Sequence, residues 1–246
     1  MDLLNGKVGS LYFKYLSAAF GSALISSIYG IVDMAMVGQY QGPNGTAALA
    51  VVAPVWNVIY SIGLLMGIGG SVIFSTKRGS GMSADGEDDQ YFTAAVIGSV
   101  ILAALAWVGL ILFERPLLMF FGTDETLLAL AQRYMIPVKV VFPLFLFNQM
   151  LAAFLRNDGA PALATLGVLS GGIFNVLGDW FFVFPCDMGV YGAGLATALG
   201  SAVSFLVMLT HFASRKNTLR LVKPKRLARK SHLTKRGHRR IIMAEF

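Results

Sequence analysis

Six apolar stretches of about 20 residues or more divide this chain of 246 residues, near 11–37, 46–76, 90–113, 134–155, 161–184 and 189–213. At about 1.5 Å per residue each can cross a hydrocarbon layer roughly 30 Å thick as a helix. A bilayer leaves a spanning chain few alternatives, because no water is present to satisfy an open backbone. A barrel would need short alternating strands, whereas these runs are continuous and rich in Leu, Ala and Gly. The expected fold is therefore an all-α membrane protein, a six-transmembrane-helix bundle. Composition agrees, at 56% hydrophobic, 13% charged and a mean hydropathy of +0.66.

The first run is too long for the core of a cleavable signal peptide and is expected to stay as helix one. The single cysteine, Cys186, falls in the turn between the last two spans, so no internal disulfide can form. The net charge of +7 has the sign that a nucleic-acid partner calls for, but its location argues against one. From His211 onward there are 12 Lys/Arg and one acid, while the preceding 210 residues hold 8 Lys/Arg and 12 acids. Lys7, Lys14, Lys77, Arg78 and Arg156 fall on the same side as that basic tail. By the positive-inside rule both termini are expected in the cytoplasm.

Asn175 and Asp179 lie inside the fifth run, just over one helical turn apart, with no base in the same stretch. An acid in hydrocarbon is costly and usually marks an ion relay or substrate path in a bundle interior. Asp33 in the first run is a second such acid. With both termini on one side, Asp33 lies about 8 Å from the outer end of its helix at Gly38, Asp179 about 9 Å and Asn175 about 15 Å from Pro185, and Thr197 about 12 Å below Gly189. Spans five and six are joined by a short turn and must be antiparallel neighbours, so Thr197 can face Asp179. If helix one joins them, Asp33, Asn175, Asp179 and Thr197 form an oxygen-lined chamber suited to H⁺ or Na⁺. Tyr29, one turn before Asp33, is a candidate hydrogen-bond partner for it. Lys139, the one base well inside a run, is expected to snorkel to the interface, with pairing to an acid as the alternative.

Other features have plainer readings. Asp85, Glu87, Asp88 and Asp89 are expected to be loop acids capping the third helix, because no His or Cys accompanies them. Glu114-Arg-Pro116 falls in the third loop, and Thr123-Asp-Glu125 is expected to open a short interfacial helix. Pro54, Pro137 and Pro143 should bend their helices. Gly63/Gly67, Gly167/Gly171 and Gly194/Ala198 have the four-residue spacing that lets transmembrane helices approach closely. Met34, Met36, Met66, Phe142, Phe145, Phe147, Trp56 and Trp180 are candidates for a pliable pocket, although most should face lipid or core. No His-x-x-x-His metal spacing or Ser/His dyad marks an enzyme, and no cofactor or resident metal is expected.

Ile31-Val-Asp-Met-Ala-Met-Val-Gly38, Gly45-Thr-Ala-Ala-Leu-Ala50, Phe154-Leu-Arg-Asn-Asp-Gly-Ala-Pro161, Asn175-Val-Leu-Gly-Asp179 and Gly189-Val-Tyr-Gly-Ala-Gly-Leu-Ala-Thr197 follow one another in an order and spacing that resembles the multidrug and toxic compound extrusion (MATE) family. The resemblance covers roughly residues 5 to 222, and the Arg-Asn-Asp-Gly run looks most like the bacterial MepA branch. It implies that Asp33, Asn175, Asp179 and Thr197 match the cation site of the family's amino-terminal lobe. It implies antiport as well: H⁺ or Na⁺ enters as a lipophilic cationic drug leaves, across a bacterial cytoplasmic membrane, between two six-helix lobes.

The family pattern has about twelve helices, and this sequence carries the first six. The expected organisation is a transmembrane lobe over residues 1–222 and a basic, disordered cytoplasmic tail over 223–246. A truncated or frame-shifted product is the expectation, in which case transport would need the missing second lobe or a homodimer. A lipid-linked saccharide flippase of related architecture and a non-transporting membrane fragment are the alternatives.

Overall fold

The apolar stretches form six helices in a computed structural model that describes residues 8–80 and 88–223. They are α1 (Val8–Gln41), α2 (Pro43–Gly79), α3 (Asp89–Phe120), α4 (Glu125–Asn157), α5 (Pro161–Val183) and α6 (Gly189–Leu209), followed by a 3₁₀ turn at Thr210–Ala213. All six are long and apolar enough to cross a membrane, and no strand occurs among the described residues. Of the tail expected at 223–246 only Lys223 is described. Lys7, Asp85 and Glu87 also lie outside the described residues.

α4 forms the centre of the bundle. Its most apolar stretch is 56% buried, against 18% for α1 and 17% for α3, and it packs on α2 and α6 together. α5 and α6 form the most extensive pair. They approach until backbones touch, since a Cβ on Gly171 would stand 2.6 Å from the Gly200 carbonyl oxygen and one on Gly200 2.7 Å from that of Gly171. Without a hydrophobic drive between helices in lipid, such close backbone packing is a main source of association.

The helices run further than hydropathy predicts. The gap between the first two apolar runs shrinks to Gly42, whose φ of 70° turns the chain directly from α1 into α2 at Pro43. Glu114-Arg-Pro116 is not a loop: α3 continues to Phe120 beyond a kink at Phe113 (φ −117°, ψ 17°). The cause is Pro116, whose ring crowds the carbonyl four residues back and removes one hydrogen bond. Thr123-Asp-Glu125 opens α4 itself instead of a separate interfacial helix, with Asp124 accepting from the Leu127 backbone N–H at 2.7 Å. Glu125 to Arg133 contains no helix breaker, so these first turns, whose Leu128 and Ala131 join the core, continue unbroken into the apolar span. Pro54, Pro137 and Pro143 sit inside continuous helices.

Asp88 and Asp89 do not cap α3. Asp88 makes no side-chain cap bond and instead meets Arg78 Nε at 2.5 Å, while Asp89 lies 3.4 Å from another nitrogen of the same guanidinium. An arginine at the end of the preceding helix offers these carboxylates charge-assisted bonds that outcompete a backbone N–H.

Candidate functional site

The deepest polar groups of four helices converge beside one cavity of about 520 Å³. Asp33 on α1 is 7% exposed, Asn175 on α5 3% and Asp179 on α5 fully buried. Tyr134 on α4 gathers them, its hydroxyl lying 3.0 Å from Asp33 Oδ2 and 3.2 Å from Thr197 Oγ1 on α6. Asn175 Nδ2 donates to Thr197 Oγ1 at 3.1 Å. Counting hydrogens orients the chain: with Tyr134 donating to Asp33, Thr197 donates to Tyr134 and accepts from Asn175. Helix one, whose participation spacing alone leaves open, is therefore tied in through α4.

These donors are too few. Asp33 Oδ1, Asn175 Oδ1 and both carboxyl oxygens of Asp179 are buried acceptors with no hydrogen-bond partner among the described residues. Among the described residues no Lys, Arg or His forms an ion pair with either acid. Asp33 and Asp179 are near enough to repel one another when both are charged. Buried polar atoms in folded proteins are overwhelmingly satisfied, so four idle acceptor oxygens in one place suit a proton or a small hard cation.

The structure brings Asp33, Asn175, Asp179 and Thr197 together, though not in equal roles. Asp33, Asn175 and Thr197 line the cavity with Tyr29 and Tyr134, whereas Asp179 sits behind its wall. Tyr29 packs across the cavity face of α5, 3.3 Å from where a Cβ on Gly172 would stand. Lys139 is elsewhere. Its ammonium is 2.9 Å from Glu114 on α3, so it is paired with an acid. The extension of α3 past Phe113 is what supplies that acid. Of the pocket candidates, Met34, Trp56 and Phe145 line the cavity, the two rings in edge contact at 4.4 Å. Phe142 belongs to the core, Met66 and Phe147 pack against it, and Trp180 is exposed.

Tyr134 and Asn148 are the site residues that sequence reasoning missed. Asn148 on α4 donates to Ser201 Oγ at 2.9 Å and to the Ser201 carbonyl at 3.0 Å, extending the polar lining down the cavity. The signal for Tyr134 was available. With α4 starting at Glu125, it lies nine residues, about 14 Å, inside the helix, level with Asp33 and Thr197 at about 12 Å from their helix ends.

The family model for MatE matches residues 18–181. The chain belongs to the MatE family. Similar curated MatE relatives include the multidrug export protein MepA of Staphylococcus saprophyticus, 24% identical over 198 residues, which span 80% of this chain and 43% of that protein. MepA of Staphylococcus aureus strain MSSA476 is 24% identical over 206 residues, 82% of this chain and 45% of that protein. A crystal structure of MATE in the bent conformation superposes with a TM-score of 0.79 at 22% identity, covering 88% of this chain and 48% of that one. This MatE chain thus has the fold of one half of such a transporter and spans about half the length of the relatives it matches.

Proposed function

We propose that this chain acts in multidrug efflux as one six-helix lobe of a cation-coupled antiporter. Asp33, Asn175, Asp179 and Thr197 hold the coupling ion, H⁺ or Na⁺, with Tyr134 as their link. The observation that carries this reading is the set of four buried acceptor oxygens with no donor among the described residues, beside a cavity lined with aromatic side chains and Met34. The relatives' description as multidrug export proteins supports the same assignment.

Coupling follows from charge competition. With the acids uncompensated, the cavity favours a lipophilic cation; once H⁺ or Na⁺ neutralises them, that attraction is lost and the drug is released. A ligand moves an equilibrium only by its differential affinity for the two states, and here each cation is the other's competitor. The full assembly includes a second lobe, on another part of a longer protein or on a second copy of this chain. It is set among membrane lipids of a bacterial cytoplasmic membrane, with both ends of the lobe in the cytoplasm.

The flippase alternative calls for a basic cavity to hold anionic headgroups. The described cavity wall carries Asp33 and no Lys, Arg or His, and Lys139 is committed to Glu114. The test is ion-driven efflux of a fluorescent lipophilic cation from cells producing the assembled transporter. Asp179→Asn is expected to abolish the dependence on the ion gradient. Gradient-driven efflux at the unsubstituted rate would remove Asp179 from the coupling group.

A further inference from the structure

Arg156 and Asn157 at the end of α4 and Asp158 just after it send three side chains in three directions. Arg156 Nη2 donates to Ser22 Oγ on α1 at 3.3 Å, and Ser22 donates to Thr165 Oγ1 on α5 at 3.4 Å. Asn157 donates to Ser71 Oγ on α2 at 2.9 Å. Asp158 is 2.6 Å from His211 Nε2, with both side chains 1% exposed, and 3.3 Å from Arg78 Nη1. It also accepts from the Thr218 backbone N–H at 3.1 Å, and the Thr218 hydroxyl bonds both Asp158 and Arg78. Leu219, the next residue, is buried in the core cluster with Phe74, Phe92 and Phe154. The chain after α6 is thus strapped across the end of the bundle.

The cavity ends just short of this cluster. Its wall includes Ala23 on α1, Val168 on α5 and Ser204 on α6, while Ser22, Thr165 and Arg156 lie beyond it. α1 leans mainly on α5 and next on α2, so the Arg156 side chain is a bridge from the central helix to α1 at this end. Its hold is slight: among the described residues it makes one hydrogen bond, to a neutral hydroxyl, and its Nε is buried and unpartnered. The contacts of Asp158 behind it are firmer, a fully buried bond to His211 and a charge-assisted one to the half-buried Arg78.

We propose that Arg156 is a gate that closes the polar cavity toward the end of the bundle holding Arg78 and His211. Asn157 and Asp158 form the latch that keeps it in register. Release of Arg156 from Ser22 parts α1 from α4 and admits water to the cavity from that side. Fixing the end of α4 through Ser71, Arg78 and His211 leaves the Arg156 bond as the weakest connection, where opening begins. The proposal concerns access of water to the cavity and does not depend on which ion or drug is carried.

The test is the rate at which a charged, membrane-impermeant thiol reagent modifies Ser204→Cys in the full chain, with Cys186→Ser removing the native thiol. Membrane vesicles of both orientations expose each face in turn. Arg156→Ala is expected to speed modification roughly five- to tenfold from the face bearing Arg78 and to leave the opposite face unchanged, as expected for the loss of about one hydrogen bond. Asp158→Asn should act likewise through the latch, and Arg156→Lys, which keeps a donor, should restore slow modification. Unchanged rates in folded Arg156→Ala protein, or equal acceleration from both faces, would overturn the gate. Should Arg156→Ala fail to fold, Ser22→Ala removes the acceptor with little change in volume, and the same two outcomes decide. No ion gradient or drug is used, so a failed gate leaves the ion-coupling group untouched, and a failed coupling group leaves the gate standing.

Discussion

Tyr134 on α4 and Asp33 on α1 are joined by a hydrogen bond of 3.0 Å between two buried groups, and the same phenol meets Thr197 on α6 at 3.2 Å. One hydroxyl thus connects three helices at the level of the acids. Tyr134→Phe keeps the ring and deletes the connection. A bond to a charged partner contributes about 1.5–3 kcal/mol, so the variant is expected to shift the cation dependence of drug binding by about tenfold or more while the protein still folds. Titration of a fluorescent lipophilic cation against purified protein at several cation concentrations checks this.

The α5–α6 pair sets where Asn175 stands, because a Cβ on Gly200 would come within 2.7 Å of the Gly171 carbonyl and 3.1 Å of Asn175 Cβ. Gly200→Ala is expected to cost about 1–3 kcal/mol through overpacking. Gly69→Ala, where nothing lies within 4 Å, is expected to be neutral or slightly stabilising. Thermal unfolding in detergent compares the two, and equal midpoints would argue that the helices part easily.

Lys139 and Glu114 form a largely buried pair, their side chains 25% and 12% exposed. Removing one partner strands the other charge, so Lys139→Met or Glu114→Gln alone should each destabilise by about 1–3 kcal/mol. The double variant should recover most of that loss. A double-mutant cycle on unfolding midpoints measures it; additive losses would show that the pair does not interact.

Asp124 caps α4 by accepting from the Leu127 N–H at 2.7 Å. Asp124→Ala should cost about 1 kcal/mol, read as a lowered unfolding midpoint, while Asp124→Asn should lose little because it keeps an acceptor.

Much of this organisation is legible in the residues. Continuous apolar runs predict six helices, and a carboxyl or amide inside such a run stands out because lipid gives it no partner; that is how Asp33, Asn175 and Asp179 are found. Thr197 follows because a short turn forces α5 and α6 to be neighbours. Tyr134 is hidden for a physical reason. Hydropathy starts the fourth span at residue 134, which places that tyrosine at an interface where such rings are common. The cap at Asp124 adds nine residues of helix ahead of residue 134 and carries Tyr134 to the depth of the acids. The partner of Lys139 is hidden in the same way, since Glu114 lies past the kink at Phe113, beyond the end of the third apolar run. The role of Arg156-Asn157-Asp158 is out of reach from spacing, because its partners Ser22, Ser71 and His211 lie far away in the chain.

The central claim is that Asp33 and Asp179 hold a cation in competition with a lipophilic cationic drug. The most direct measurement is binding of a fluorescent lipophilic cation to purified protein as Na⁺ is raised at fixed pH, and as pH is lowered without Na⁺. In the unsubstituted protein one of the two is expected to weaken binding by about tenfold or more, and in Asp33→Asn/Asp179→Asn neither should. An undiminished cation effect in the double variant would contradict the account, as would drug binding to the unsubstituted protein that is indifferent to both ions.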